Sequence, residues 1–268
     1  MDWVQALVLG IVQGLTEFLP ISSTAHLRVV PELLGWNDPG AEFSAVIQLG
    51  TLGAVMLYFW QDVLQLSRAA LESIWKREPL GTPKSRMAWG IAAGTVPIVV
   101  LGLSFKDFIK MEARELWVIG IALIVLAVFL YLAERRSPRN RQIGQLSLLQ
   151  IQWIGLTQAL ALIPGCSRSG STIMGGLMVG LNREAAARFS FLLSLPVIFG
   201  SGLYELKELM EIGISTDGYF NLIVGILASF VVGYLSIELL LRFLRRHGTF
   251  VFVIYRIVLG TGILLFLV

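Results

Sequence analysis

Six stretches of this chain, at about 41–60, 88–105, 117–133, 189–203, 220–241 and 250–268, are apolar over lengths near those needed to cross a bilayer. A spanning helix takes about 20 residues, and backbone in hydrocarbon has to satisfy its own hydrogen bonds. So many runs of this kind in 268 residues cannot all be buried in one water-soluble core, and an all-α integral membrane protein is expected. Composition agrees: 56% of residues are hydrophobic, 15% are charged and the mean hydropathy is +0.76. A soluble domain carries roughly a quarter charged residues. The net charge of +3 and pI of about 9.2 would invite a nucleic-acid reading in a soluble protein. Here the basic residues cluster in short loops between apolar runs, which orientation in a membrane explains, and no nucleic-acid partner is expected. One cysteine, Cys166, cannot close an intramolecular disulfide. The N-terminus has neither the basic flank nor the cleavage site of a secretory signal and reads as mature sequence.

Two weaker apolar stretches, about 1–30 and 150–187, are broken by Pro and Gly and carry ionisable or hydroxyl residues. Irregular backbone at membrane depth needs a protein or aqueous lining. These two are therefore expected as re-entrant segments, giving about six spans plus two re-entrant helical pieces in a single domain over 1–268. The 61–87, 134–149 and 242–249 loops are rich in Arg and Lys, whereas 204–219 sets Lys207 among Glu205, Glu208, Glu211 and Asp217. Positive-inside counting puts the three basic loops in the cytoplasm, with Lys106, Lys110 and Arg114 dissenting mildly.

The chain also repeats itself. Gln13-Gly-Leu, Pro20 and Ser22-Ser-Thr are echoed by Gln158-Ala-Leu, Pro164 and Ser167-Arg-Ser, and Phe43-Ser44 by Phe189-Ser190, at offsets of 145 to 146 for the leading residues. Pseudo-repeats of about 1–140 and 141–268 would each hold one re-entrant segment and three spans. An odd number of crossings makes the second half upside down, an inverted-topology repeat with a site at the interface of its broken helices.

The first chemical stretch runs from Gln13 through Glu17, Pro20, Ser22, Ser23 and Thr24 to His26. Gln13 and Glu17 share a helix face, and Pro20 breaks the helix before three hydroxyls. An ionisable residue in such a segment is costly and faces a polar cavity; a plain interfacial glutamate with a satisfied histidine is the competing reading. The second stretch is Pro164-Gly-Cys-Ser167-Arg168-Ser169-Gly170-Ser-Thr172. Inward amides, hydroxyl donors and a guanidinium fork describe an oxyanion cradle, with phosphate the expected anion. A Gly/Ser turn with Arg168 snorkelling to headgroups would account for the arginine but not for the small donors around it. Three phosphate motifs fail: Ser171 stands where a nucleotide P-loop has lysine, Thr172 where a cysteine phosphatase has arginine, and Met174 where a histidine-type lipid phosphatase has histidine.

The two stretches resemble the signature motifs of the undecaprenyl-diphosphate phosphatases, the bacitracin-resistance family of bacterial membrane enzymes, and the likeness extends over Phe43 to Thr51 and Ile254-Tyr255-Arg256. The resemblance implies hydrolysis of undecaprenyl diphosphate to the monophosphate, recycling the peptidoglycan lipid carrier. It also implies an active site toward the outer face of the plasma membrane. Glu17 matches the second acid of a Glu/Gln-x-x-x-Glu motif; Gln13 takes the first position and cannot act as an acid. Ser23 and His26 match the hydroxyl and imidazole given catalytic roles. Ser167, Arg168, Ser169, Gly170 and Thr172 match the phosphate-binding loop, while Gln13, Ser22, Thr24 and Gln48 are expected at the substrate.

Under this reading Arg168 grips the phosphates and Ser23 is the preferred nucleophile, with His26 or Glu17 taking its proton. Water activated by Glu17 or His26 is the alternative. A Mg²⁺ or Ca²⁺ ion bridging phosphate oxygens to Glu17 would suit oxygen-ligand chemistry. The expected partners are the polyprenyl diphosphate lipid and membrane lipids, with a homodimer left open. The runner-up is a transporter or flippase of polyprenyl phosphate, because broken inverted repeats also build transporters.

Overall fold

The computed structural model describes residues 1–110, 112–212 and 216–268. They form helices α1 (Trp3–Thr16), α2 (Ser23–Leu34), α3 (Gly40–Tyr58), α4 (Trp60–Trp75), α5 (Pro83–Ser104), α6 (Lys106–Lys110), α7 (Leu116–Arg136), α8 (Leu148–Gln158), α9 (Arg168–Met178), α10 (Arg183–Ile212), α11 (Thr216–Arg246) and α12 (Phe250–Phe266). Five of these, α3, α5, α7, α10 and α11, are long and apolar enough to span, while α12 reaches 17 residues. The chain is therefore a multi-helix membrane protein, with α12 in the place of the sixth expected span. Part of the acidic 204–219 connection, residues 213–215, lies outside the described residues.

Two features depart from the sequence reading. Within the expected 61–87 loop lies α4, an amphipathic helix whose Leu71, Ile74 and Trp75 are exposed. Its apolar residues are spread one helical face apart, so no continuous run betrays them. The other difference is length. Helix α10 has 30 residues and α11 has 31, well beyond the expected 189–203 and 220–241. At about 1.5 Å per residue each exceeds a ~30 Å hydrocarbon core, so polar ends extend past it.

The expected re-entrant stretches are each a pair of short helices meeting at a turn, α1–α2 and α8–α9. Their helices do not pack on their own half alone. Helix α1 lies against α11 and α8 against α5, while α3 packs on α10 and α7 on α12. The first and second parts of the chain are thus interleaved. In lipid such contacts are held by close backbone approach at small residues. A Cβ on Gly155 of α8 would stand 2.5 Å from the Gly94 Cα of α5, and one on Gly260 of α12 would stand 2.7 Å from the Gly120 carbonyl oxygen of α7. Both pairs mark seams where a larger side chain has no room.

Candidate active site

The two turns that interrupt the short helix pairs are built alike. After Pro20, Ser22 takes φ 74° and caps α2 by accepting the Ala25 amide at 3.3 Å; its Oγ also meets the Thr24 hydroxyl at 3.0 Å. After Pro164, Ser167 takes φ 63° and caps α9 by accepting the Gly170 amide at 3.1 Å, with the Ser169 hydroxyl at 3.0 Å. A left-handed conformation is costly for a residue with a Cβ and persists where its surroundings enforce it. Capping supplies part of that enforcement, since it satisfies amides that the helix start leaves open. The turns also touch: Ser169 Oγ donates to the Leu19 carbonyl at 2.9 Å.

Glu17, in the first turn, is the junction. Its Oε2 accepts from Gln13 Nε2 and from Ser23 Oγ, each at 2.7 Å, and its Oε1 pairs with the Arg168 guanidinium. The carboxylate is 4% exposed and the guanidinium 13%, so the pair is held largely away from solvent. Breaking one partner of such a pair leaves an uncompensated buried charge. Arg168 is thus the neutralising partner that lets a glutamate sit inside a membrane protein.

Glu17, Ser22, Ser23, Thr24, Gln48, Ser167 and Arg168 all line one cavity of about 240 Å³. Apolar Ile98, Leu162 and Val197 share its wall, as do Arg114 and Glu205. Charged and hydroxyl groups beside an aliphatic wall suit a molecule with an anionic head and a hydrocarbon tail. The remaining expected site residues stand behind this wall. Gln13 is fully buried and holds Glu17. Ser169 and Gly170 are spent on the turn, and Thr172 Oγ1 bonds the Arg168 carbonyl at 2.7 Å and Ser190 at 2.6 Å.

His26 also points elsewhere. Its Nδ1 lies 2.7 Å from the Ser22 carbonyl and its Nε2 2.6 Å from the Tyr255 hydroxyl, with the two rings stacked. A carbonyl oxygen only accepts, so Nδ1 carries a proton, and in the corresponding neutral tautomer Nε2 accepts a hydrogen bond from the Tyr255 hydroxyl. The imidazole therefore braces the turn in this arrangement, and Glu17 alone of the two bonds Ser23.

Arg256 of α12, 0% exposed, lies outside both motifs yet reaches both turns. Its guanidinium donates to the carbonyls of Pro20 at 3.1 Å, Gly165 at 2.8 Å, Leu123 at 3.1 Å and Ala122 at 3.4 Å. One side chain thereby pins both turns to α7. The signal was a lone arginine inside the last apolar run, which is expensive unless it has partners.

For a hard cation, the cavity offers the Glu17 carboxylate, the neutral oxygens of Ser22, Ser23 and Thr24, and Glu205. Glu205 brings a carboxylate oxygen within 4.8 Å of those of Glu42 and Glu208. Both Glu17 oxygens are engaged by Arg168, Gln13 and Ser23, so this donor set fits a cation only when an anionic ligand draws Arg168 away and adds its own oxygens.

Residues 6–262 match the family model described as bacitracin resistance protein BacA. The chain is 53% identical to an undecaprenyl-diphosphatase of Chloroherpeton thalassium, over 98% of this chain and 96% of the relative. It is 51% identical to the undecaprenyl-diphosphatase of Chlorobaculum tepidum, over 98% and 96%. With that of Chlorobium luteolum it shares 52% identity, over 100% and 98%.

Proposed function

Because the chain belongs to the bacitracin resistance protein BacA family, we infer that it is the enzyme that hydrolyses undecaprenyl diphosphate to the monophosphate lipid and inorganic phosphate. Its working groups are Glu17, Ser23 and Arg168. One observation carries this assignment: Glu17 joins the first motif's Ser23 to the second motif's Arg168 on a single cavity wall.

The diphosphate head competes with Glu17 for Arg168, because a guanidinium fork binds phosphate oxygens in a bidentate manner. As Arg168 turns to the phosphates, Glu17 is left with the Ser23 hydroxyl and can act as its base. Ser23 Oγ attacks the terminal phosphorus and passes its proton to Glu17. The bond from that phosphorus to the bridging oxygen breaks, and the bridging oxygen leaves on the monophosphate lipid. Water then displaces the serine oxygen, releasing inorganic phosphate and restoring the hydroxyl. Arg168 stabilises the charge that spreads over the transferred group in both steps. Water attacking directly with Glu17 as base is the competing scheme; the 2.7 Å Ser23–Glu17 bond favours serine.

A divalent cation belongs to the proposal as well. Glu17 and the phosphate oxygens would hold it, and it would neutralise diphosphate charge. Exhaustive chelation should abolish phosphate release and Mg²⁺ or Ca²⁺ should restore it; unchanged turnover would remove the ion from the scheme. The cavity is proposed to face the outer leaflet, since the Arg-rich connections lie at the other end of α7.

The central test is phosphate release from the diphosphate lipid in detergent. Arg168→Ala and Glu17→Gln should each lower kcat by about 10²–10³-fold, the cost of removing one positioned charge-stabilising group. Near-normal rates in either variant would refute the site. Ser23→Ala separates the schemes, since appreciable residual hydrolysis would argue for direct water attack.

A further inference from the structure

At the end of α7 away from Glu17, a cavity of about 440 Å³ lies between Tyr131, Glu134, Arg135, Arg139, Arg183 and Thr249. A second hollow of about 320 Å³ shares Arg139 and Arg183 with it and adds Glu184 and Arg245. Arg114, just before α7, lines the Glu17 cavity, so the two sites are separated by that helix, about 30 Å at 1.5 Å per residue.

This is a built site. Glu134, 12% exposed, accepts from Arg183 Nε at 2.7 Å and Nη2 at 2.6 Å with one oxygen, and from the Thr249 amide at 2.6 Å and the Thr249 hydroxyl with the other. Arg245 is matched by Glu184, with Nε at 3.0 Å. Arg139 stands 3.8 Å from Glu134, beyond hydrogen-bond reach, and Arg135 lies over the Tyr131 ring. Four arginines thus face two carboxylates, and the excess positive charge is on Arg135 and Arg139.

The backbone that carries Arg139 is itself held. Arg139 sits at φ 51°, a strained conformation for a residue with a side chain. The connection that bears it is fixed by the Arg141 backbone amide donating to the Gly180 carbonyl and the Asn182 backbone amide donating to the Arg141 carbonyl, both at 3.0 Å. Beside the charges stand exposed Tyr131 and Phe250, their rings 6.0 Å apart on the flanks of α7 and α12. Exposed aromatic rings at span ends mark the level where lipid headgroups meet hydrocarbon. A cationic hollow at that level matches a phosphate with an attached tail.

We propose that this cavity binds the phosphate headgroup of an anionic membrane phospholipid, with its chains along Tyr131 and Phe250. Arg135 and Arg139 contact the phosphate. The site is separate from the hydrolytic cavity.

The test uses the delipidated full chain in detergent, with retained lipid read by native mass spectrometry and thermal midpoints measured alongside. Dioleoylphosphatidylglycerol should be retained by the wild-type chain at about tenfold lower concentration than by Arg135→Gln/Arg139→Gln, about 1.4 kcal/mol per decade. Phosphate release from the diphosphate lipid in detergent should be unchanged. Dioleoylphosphatidylcholine should be retained at least tenfold more weakly than the glycerol lipid, and inorganic phosphate alone should not raise the midpoint. Arg135→Lys/Arg139→Lys keeps the charge and should stay closer to wild type than the glutamine pair, which guards against a variant that merely misfolds. A control pair, Arg77→Gln in the α4–α5 connection with Arg86→Gln in the first turn of α5, should retain lipid normally. Equal retention by the glutamine and wild-type chains, or equal loss in the control pair, would overturn the proposal. Equal protection by inorganic phosphate would overturn the lipid assignment in favour of a soluble anion.

Discussion

Glu17 and Arg168 were legible as residues needing a polar surrounding before any geometry, because each is an ionisable side chain in a broken apolar stretch and cannot be tolerated there without a partner. That the two are each other's partner was not legible, since 151 residues separate them. His26 shows the limit from the other side. Three neighbouring hydroxyls suggested chemistry, yet its ring is held by Ser22 and by Tyr255, which lies 229 residues away. Arg256 left the faintest trace, because its partners are carbonyls of Pro20, Ala122, Leu123 and Gly165, and a carbonyl has no sequence signature. Its loss should nevertheless be severe. Arg256→Met would leave the buried Pro20 and Gly165 carbonyls of the two turns without their donor, at about 1–3 kcal/mol for each unsatisfied group, whereas those of Ala122 and Leu123 keep their bonds within α7. Because both turns would drift, turnover should fall by about 10²-fold, the scale of a 1 Å misplacement of reacting groups. Apparent KM for the lipid should change much less, as the cavity's aliphatic wall is untouched. Phosphate-release kinetics over a range of lipid concentrations measure the split, and a normal kcat would show that Arg256 is not a positioning residue.

At the level of the helices, apolar run length marked the spans and Pro-plus-hydroxyl interruptions marked the two broken pairs. Propensity could not supply the partners: nothing local indicates that α8 meets α5 or that α1 meets α11. Glycine carries that information only in three dimensions. Gly155→Leu should drive α8 from α5, because even its Cβ would stand 2.5 Å from Gly94 Cα. Overpacking of this kind costs about 1–3 kcal/mol or more, and the thermal midpoint in detergent should drop by several degrees. Gly262→Ala, whose Cβ meets nothing within 4 Å, should leave the midpoint unchanged. Equal midpoints for both variants would mean that the α5–α8 seam is not tight. The capping serines behave differently, since each supplies a side-chain acceptor in a left-handed backbone. Ser167→Ala removes the acceptor and keeps the strain, and should destabilise by about 1 kcal/mol.

For the molecule as a whole, charge distribution and interleaving set the behaviour. A cysteine placed at Lys84 or Arg139, in a Cys166→Ser background, should react with an impermeant thiol reagent only from the cytoplasmic side in oriented vesicles. One placed at Glu208 should react only from outside. The reverse pattern would invert the proposed orientation of the cavity. A few identities in the sequence suggest pseudo-repeats, whereas nothing in it suggests that the first and second parts interleave, because interleaving is made of contacts between distant segments. Interleaving also fixes an order of events during synthesis. Glu17 leaves the ribosome 151 residues before the arginine that neutralises it, and α1 well before α11, the helix it packs on. The first turn therefore cannot settle while the nascent chain is half made, and a truncated product would carry an uncompensated carboxylate and an unmatched helix face. Because Arg256 of α12 donates to both turns, the geometry around Glu17 is complete only once the last helix is in place.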